Sequence, residues 1–194
     1  MAQAGQRVVL IDCDLRRPRV HRVFDKSSDL GVSTALIGGS IDEVVLDTEV
    51  PNLSVIVAGP LAPDPTELLH SDRFKTFLKQ VSARFDRVII DSSPLVAVTD
   101  AAILSTLVDG TVVVVRAFKT SKDVARHAMR SLFDVGTKPA GAVLNAVNFD
   151  RHEYKYAYQY YKRDGYYGDA DAPKLKLTPK APDAPAPPTP STHV

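Results

Sequence analysis

Two short apolar runs in this chain end in carboxylates. Val8, Val9, Leu10 and Ile11 lead into Asp12, Cys13, Asp14, Leu15 and Arg16, and Val88, Ile89 and Ile90 lead into Asp91, Ser92, Ser93 and Pro94. Short runs this rich in Val and Ile predict buried strands. In a parallel α/β sheet the ligand crevice lies beyond the carboxyl ends of the strands, so both acids are expected at one edge. Neighbouring strands lie about 5 Å apart, close enough for two carboxylates to share one hydrated ion. Mg2+ takes oxygen ligands and keeps several waters, which suits one or two carboxylates plus substrate phosphates. A single strand-end aspartate more often caps a turn. Two such strands, one carrying Asp-x-Asp-x-Arg, favour the ligand reading.

The second concentration of chemistry is a set of phenols. All seven tyrosines, Tyr154, Tyr156, Tyr158, Tyr160, Tyr161, Tyr166 and Tyr167, lie within 154–167, and residues 1–153 contain none. A core tyrosine is valuable because its ring buries while its hydroxyl finds a partner, so a folded domain would spread them. Gathered in a polar, Gly-containing stretch, they point to the phenol itself as phosphate acceptor. In an extended chain Tyr154, Tyr156, Tyr158 and Tyr160 face one way. The competing readings are a strip that stacks on single-stranded nucleic acid and a sticky low-complexity tail. Lys155, Lys162 and Arg163 support the first weakly, but Asp150, Glu153 and Asp164 cancel their charge. No nucleic-acid partner is expected.

Composition sets the frame for both features. With a formal net charge of +1, no global field draws the chain to nucleic acid or acidic lipid. One cysteine, Cys13, excludes an internal disulfide framework and fits a reducing compartment. No apolar run is long enough to span a bilayer, and residues 1–7 carry no signal-peptide core. A soluble cytoplasmic protein is the expectation. His21, His70, His127 and His152 have no spacing with Cys or paired acids that suggests zinc.

The elements that must position the acids read as an α/β fold with a mostly parallel sheet and helices on both faces. Strands are expected at 8–11, 53–57, 88–90, 111–115 and 142–144. Asp64-Pro65-Thr66-Glu67 predicts a helix start, with Asp64 as cap, Pro65 in the first turn and Glu67 closing a capping box. Leu68, Leu69, Phe74, Phe77, Leu78 and Val81 then read as a helical face. Thr120 or Ser121 is expected to cap a later helix burying Val124, Ala128, Met129, Leu132 and Phe133. The organisation expected is a folded part over 1–149, the tyrosine cluster over 150–168, and a tail over 169–194. From 173 to 190 that tail holds seven of the fourteen prolines, a composition with no packing capacity.

At this point the chain resembles the bacterial tyrosine autokinases of capsule and exopolysaccharide export, deviant-Walker members of the P-loop NTPase superfamily. Their Walker A′ motif matches residues 9–16, their Walker B motif matches 88–94, and their C-terminal tyrosine cluster matches 154–167. Residues 59–69 resemble a further family element, although Asp64 stands where the family usually has asparagine. The resemblance covers about residues 7–167. It implies ATP and Mg2+ as cofactors, with Asp12 as base or orienter towards the incoming tyrosine, and Asp14 and Asp91 on the metal, partly through water. Arg16 becomes a candidate for neutralising phosphate charge, with a fold-stabilising salt bridge as its alternative. Asn145 becomes a candidate for reading the adenine edge, with an ordinary turn as its alternative. A ring-forming homo-oligomer, a membrane adaptor or fused membrane domain, and a tyrosine phosphatase are the implied partners, at the inner face of the plasma membrane.

One departure from the family pattern weighs more than any match. The chain has no Gly-x-x-x-x-Gly-Lys-Ser/Thr loop and no Gly-Lys pair at all. By resemblance that loop and its strand would precede Met1, as would the Glu-x-x-Arg-x-x-Arg assembly element. Residues 1–6 would then be the end of a helix capped by Gly5, and a gap is expected in the sheet's hydrogen bonding. Such loops hold the β and γ phosphates, so these 194 residues alone are expected to bind ATP poorly. A phosphoacceptor or assembly module, or a partitioning-type ATPase, are the rival functions. The basic run Arg16-Arg17-Pro18-Arg19 reads either as a phosphate contact or as a solvated turn.

Overall fold

In the computed structural model, residues 1–148 are described. A 3-10 turn at Ala2–Ala4 is closed by Gly5 at φ 83°. The elements then run β1 (Val8–Asp12), α1 (Val20–Val23), α2 (Val32–Leu36), α3 (Ile41–Val44), β2 (Leu46–Asp47), β3 (Leu53–Ile56), α4 (Pro65–His70), α5 (Asp72–Ser82), β4 (Arg87–Asp91), α6 (Asp100–Ser105), β5 (Thr111–Arg116), α7 (Lys122–Asp134) and β6 (Pro139–Asn145). The expected α/β class holds, and every expected strand is present.

The strands form two ladders. The first has the order β2-β3-β1-β4, with β1 parallel to both β3 and β4, and β2 antiparallel to β3. The second is the parallel pair β5 and β6. Among the described residues β4 therefore pairs only with β1 and β5 only with β6, so the hydrogen-bond ladder is interrupted.

The core lies against the first ladder. Val9 and Ile11 of β1 and Ile56 of β3 are buried with Val32 and Leu36 of α2, and with Leu69, Phe74, Phe77 and Val81 of α4 and α5. The rings of Phe74 and Phe77 stack with centroids 6.1 Å apart. At β5 the cover is thinner, and Val112 and Val114 are exposed.

Two expectations need correction. The apolar periodicity over 68–81 predicted one helix, but the chain breaks at Ser71. That residue is extended at ψ 154°, its hydroxyl donates to the Leu68 carbonyl at 2.7 Å, and its oxygen accepts from the Phe74 amide at 3.2 Å. One serine thus ends α4 and starts α5 without disturbing the buried face. Asp64 does cap α4 by accepting from the Glu67 amide. On α7, capped by Ser121, Ala128 and Leu132 are buried, whereas Val124 and Phe133 remain exposed.

Candidate functional site

Parallel pairing of β1 with β4 sets Asp12 opposite Asp91 at the carboxyl ends of both strands. The backbone continues the match, since the Cys13 amide donates to the Asp91 carbonyl at 2.8 Å. The side chains then diverge. Asp12 is fully buried and Asp91 is exposed.

Asp12 accepts three backbone amides. Its Oδ1 takes the Asp14 N–H at 3.1 Å, and its Oδ2 takes those of Arg19 at 3.0 Å and Val20 at 2.9 Å. The last two belong to the start of α1, so Asp12 ties the loop 13–19 back onto the strand that it ends. Three of its roughly four acceptor positions are used in this way, and the residue has no exposure. Asp14 is half-buried, and its Oδ1 accepts the Arg17 amide at 3.0 Å.

The charge left at this edge is negative. Partial desolvation, then the neighbouring charges of Asp12 and Asp14, push the Asp91 carboxyl above its ordinary range. No cationic side chain among the described residues pairs with it. Burial, with Asp12 and Asp91 adding, also pushes the Cys13 thiol far up, so the cysteine is a packing residue. Asp14 and Asp91 offer hard oxygen donors without a protein cation, a donor set that fits Mg2+. No three His, Cys, Asp or Glu side chains among the described residues form a metal cage, so water and substrate oxygens would have to complete the shell.

Arg16 makes the salt bridge that was the alternative expected for it. Its Nε donates to Asp100 Oδ2 at 2.7 Å, and its Nη2 donates to Asp100 Oδ1 at 3.3 Å and to Thr66 Oγ1 at 2.7 Å. Thr66 donates in turn to Asp100 Oδ1 at 2.7 Å, and the Ser93 hydroxyl lies 3.4 Å from Oδ2. The guanidinium is committed to this ion pair, the structural alternative for the residue. Burial pushes the Asp100 carboxyl up, but the hydrogen bonds from Arg16, Thr66 and Ser93 and the Arg16 charge outweigh it and hold it below the ordinary range. Asp100 thereby knots the loops after β1 and β4 to the first turn of α4.

Sequence reasoning missed Asp100. In Thr99-Asp100-Ala101-Ala102 it reads as an ordinary first-turn acid of a helix. The approach of Thr66 to it depends on how the preceding segment is held. The Val32 and Ser33 amides donate to the Val57 and Ala58 carbonyls at 2.8 and 2.9 Å, and the Ser33 hydroxyl donates to the Pro60 carbonyl at 2.9 Å. A Cβ on Gly31 would collide with the Val57 carbonyl, and Gly59 sits at φ +82° with Ser33 Oγ 2.6 Å from where a Cβ would stand.

Asn145 ends β6 in the other ladder. It is exposed, its Oδ1 accepts the Ala146 amide at 2.7 Å, and Ala146 adopts φ 55°. The side chain thus makes the turn through its Oδ1. The seven tyrosines all fall outside the described residues. No helix among those described is long and apolar enough to cross a membrane.

Residues 1–130 match the profile of an AAA domain. Over 172 residues the chain is 37% identical to the tyrosine-protein kinase YwqD of Bacillus subtilis (strain 168), covering 88% of this chain and 68% of that protein. The solved kinase domain of the Escherichia coli tyrosine kinase ETK superposes with a TM-score of 0.72 at 34% identity, over 75% of this chain and 58% of that one. The Pyrococcus furiosus cell division ATPase MinD superposes at 0.59 with 18% identity, over 82% of this chain and 69% of that one, a likeness of fold.

Proposed function

This chain belongs to the bacterial tyrosine-protein kinases, and from that premise we propose that it serves ATP-dependent phosphorylation of the tyrosine cluster at 154–167, in trans between subunits, to regulate capsule or exopolysaccharide polymerisation and export. The observation that carries the reading is the Asp12–Asp91 pairing, which brings the two motif strands to one edge with Asp91 outward. Asp14 and Asp91 would hold Mg2+, partly through water, and the ion would neutralise charge on the phosphates there.

The chain's own residues divide the remaining work. Asp12 fixes the loop that carries Asp14. Asp14 Oδ2, without a hydrogen bond in the described structure, is available to accept the proton of a phenol that attacks with an ordinary pKa of about 10. Arg16 acts through Asp100 to hold the two loops in register. The exposed Asn145 would donate from its Nδ2 to the adenine edge. Each transferred phosphate adds roughly −1.5 to −2 charge. Heavily modified tails would therefore repel one another and the acidic edge, loosening a ring that dephosphorylation lets reassemble. A membrane adaptor or fused membrane domain would hold that ring at the inner face of the plasma membrane.

A second reading is favoured by one observation, the lack of any Gly-Lys pair. In that reading the chain is a phosphoacceptor or assembly subunit modified by a complete kinase. The protein purified from its own cells decides between them. Intact mass and peptide mapping, before and after phosphatase, should give phosphate on 154–167 in a product that also carries a Gly-Lys-Ser/Thr loop. Phosphate on a product starting at Met1 supports the acceptor reading. No phosphate on 154–167 in either product overturns both.

A further inference from the structure

The basic run after Asp14 has no part in the mechanism above once Arg16 is paired with Asp100. Arg17, Arg19 and Arg22 are all exposed. Arg17 and Arg19 make no side-chain hydrogen bond or ion pair among the described residues, and Arg22 has only a 3.4 Å contact from its Nε to His21 Nε2. Elsewhere Arg7, Arg84 and Arg126 are each paired with a carboxylate.

The backbone under the first two of these arginines is pinned by the edge acids themselves. Asp14 Oδ1 holds the Arg17 amide, Asp12 Oδ2 holds those of Arg19 and Val20, and the Arg22 amide donates to the Arg19 carbonyl at 3.0 Å. Two exposed arginines, Arg17 and Arg19, therefore stand on a loop fastened by hydrogen bonds of about 3 Å to Asp14 and Asp12, and Arg22 follows them in α1. In sequence the acids flanking this stretch are Asp14 before it and Asp25 after α1, and the Asp29 carboxylate accepts from the Ser27 hydroxyl. Planar guanidinium groups bind phosphate dianions bidentately and are the usual means of recognising phosphorylated peptides.

We propose that Arg17, Arg19 and Arg22 form a docking site for a phosphotyrosine in the 154–167 segment of a second copy, beside the acidic edge that receives the next phenol. The proposal rests on the kinase reading for its partner. Its consequence is directional: a tail modified once is retained by the basic loop while a neighbouring tyrosine addresses the acids, so multiply modified tails accumulate ahead of singly modified ones. Alternate tyrosines of an extended tail are about 7 Å apart, which lets one be held while the next reaches past it.

The test is binding, which needs no phosphoryl transfer by the chain. Synthetic peptides of residues 150–168, phosphorylated on Tyr160 or not, are titrated into the 194-residue protein and followed by fluorescence anisotropy. The phosphopeptide should bind at least about tenfold tighter. That preference should fall in Arg17→Gln, Arg19→Gln and Arg22→Gln, vanish in the triple variant, and survive Arg130→Gln on α7. Circular dichroism confirms that the variants are folded, and the single variants keep the test decisive if the triple is not. Equal affinities for the two peptides overturn the proposal, as does a preference that the triple variant retains. Binding to phosphatidylserine vesicles without any phosphopeptide preference would also overturn it, giving the loop to a membrane surface. Absence of phosphate in the cellular protein would instead count against the kinase reading and leave these affinities to be judged separately.

Discussion

Asp12 and Asp91 sit opposite each other across β1 and β4, yet one is a buried acceptor of three amides and the other is exposed and starved of a cation. Identical chemistry at matched positions thus serves two ends. Asp12 builds the loop, and Asp91 carries the repulsion that a bound cation would relieve.

Replacing Asp91 by Asn should therefore stabilise the protein at neutral pH. A carboxyl whose folded value is raised costs stability once pH climbs past its unfolded value of about 3.9. The gain should be under about 1 kcal/mol, because the residue is exposed. Thermal unfolding of wild type and Asp91→Asn should differ at pH 7 and converge below about pH 4. A variant less stable at pH 7 would contradict this account.

Asp100→Ala should be among the most damaging single changes. It leaves Arg16 and Thr66 without their shared acceptor and empties a position with a side-chain exposure of 1%. Breaking a buried pair in this way costs about 3 kcal/mol, measurable as a lower urea midpoint. The Asp100 carboxyl is held low, so its contribution is present above about pH 4 and is lost as pH falls through the folded value. Wild type should lose stability with acid over that range more steeply than the variant does.

Gly59→Ala should destabilise by about 1–3 kcal/mol, since the new methyl meets both a positive φ and the Ser33 hydroxyl. Adding Ser33→Gly relieves only the collision. A double variant recovering part of the loss, read from denaturant unfolding, separates the two effects.

Native Cys13 should resist alkylation by iodoacetamide at pH 8 and react only in denaturant. Its thiol is buried and held protonated beside two carboxylates. Rapid labelling of the folded protein would show that the strand end opens.

The 194-residue chain incubated alone with Mg-ATP should incorporate no phosphate on tyrosine, because it has no Gly-Lys loop to grip the triphosphate. Phosphotyrosine appearing in the purified chain, by mass spectrometry, would mean that the Asp14–Asp91 edge suffices.

The strands at 8–12 and 87–91 were legible because their apolar runs are short and β-branched, and the edge they share follows from parallel topology. The hydrogen-bond partners of the residues at that edge were not legible. The partners of Asp12 are backbone amides, which carry no residue signature, and the partner of Arg16 lies 84 positions away in an ordinary helix start. Periodicity likewise ran through Ser71, because the turn there keeps Leu69 and Phe74 on one buried face. On α7 the apolar stripe was readable, but how much of it a neighbour covers is decided by tertiary packing, and Val124 and Phe133 remain outside.

The two separate ladders bear on how the chain behaves in a tube. Among the described residues, β4 and β5 each present an edge with no strand partner, and β5 turns Val112 and Val114 to solvent. Bare edges with apolar faces are templates for further pairing. Light scattering from concentrated samples of the isolated chain should rise with time, and a charged residue in place of Val114 should delay it.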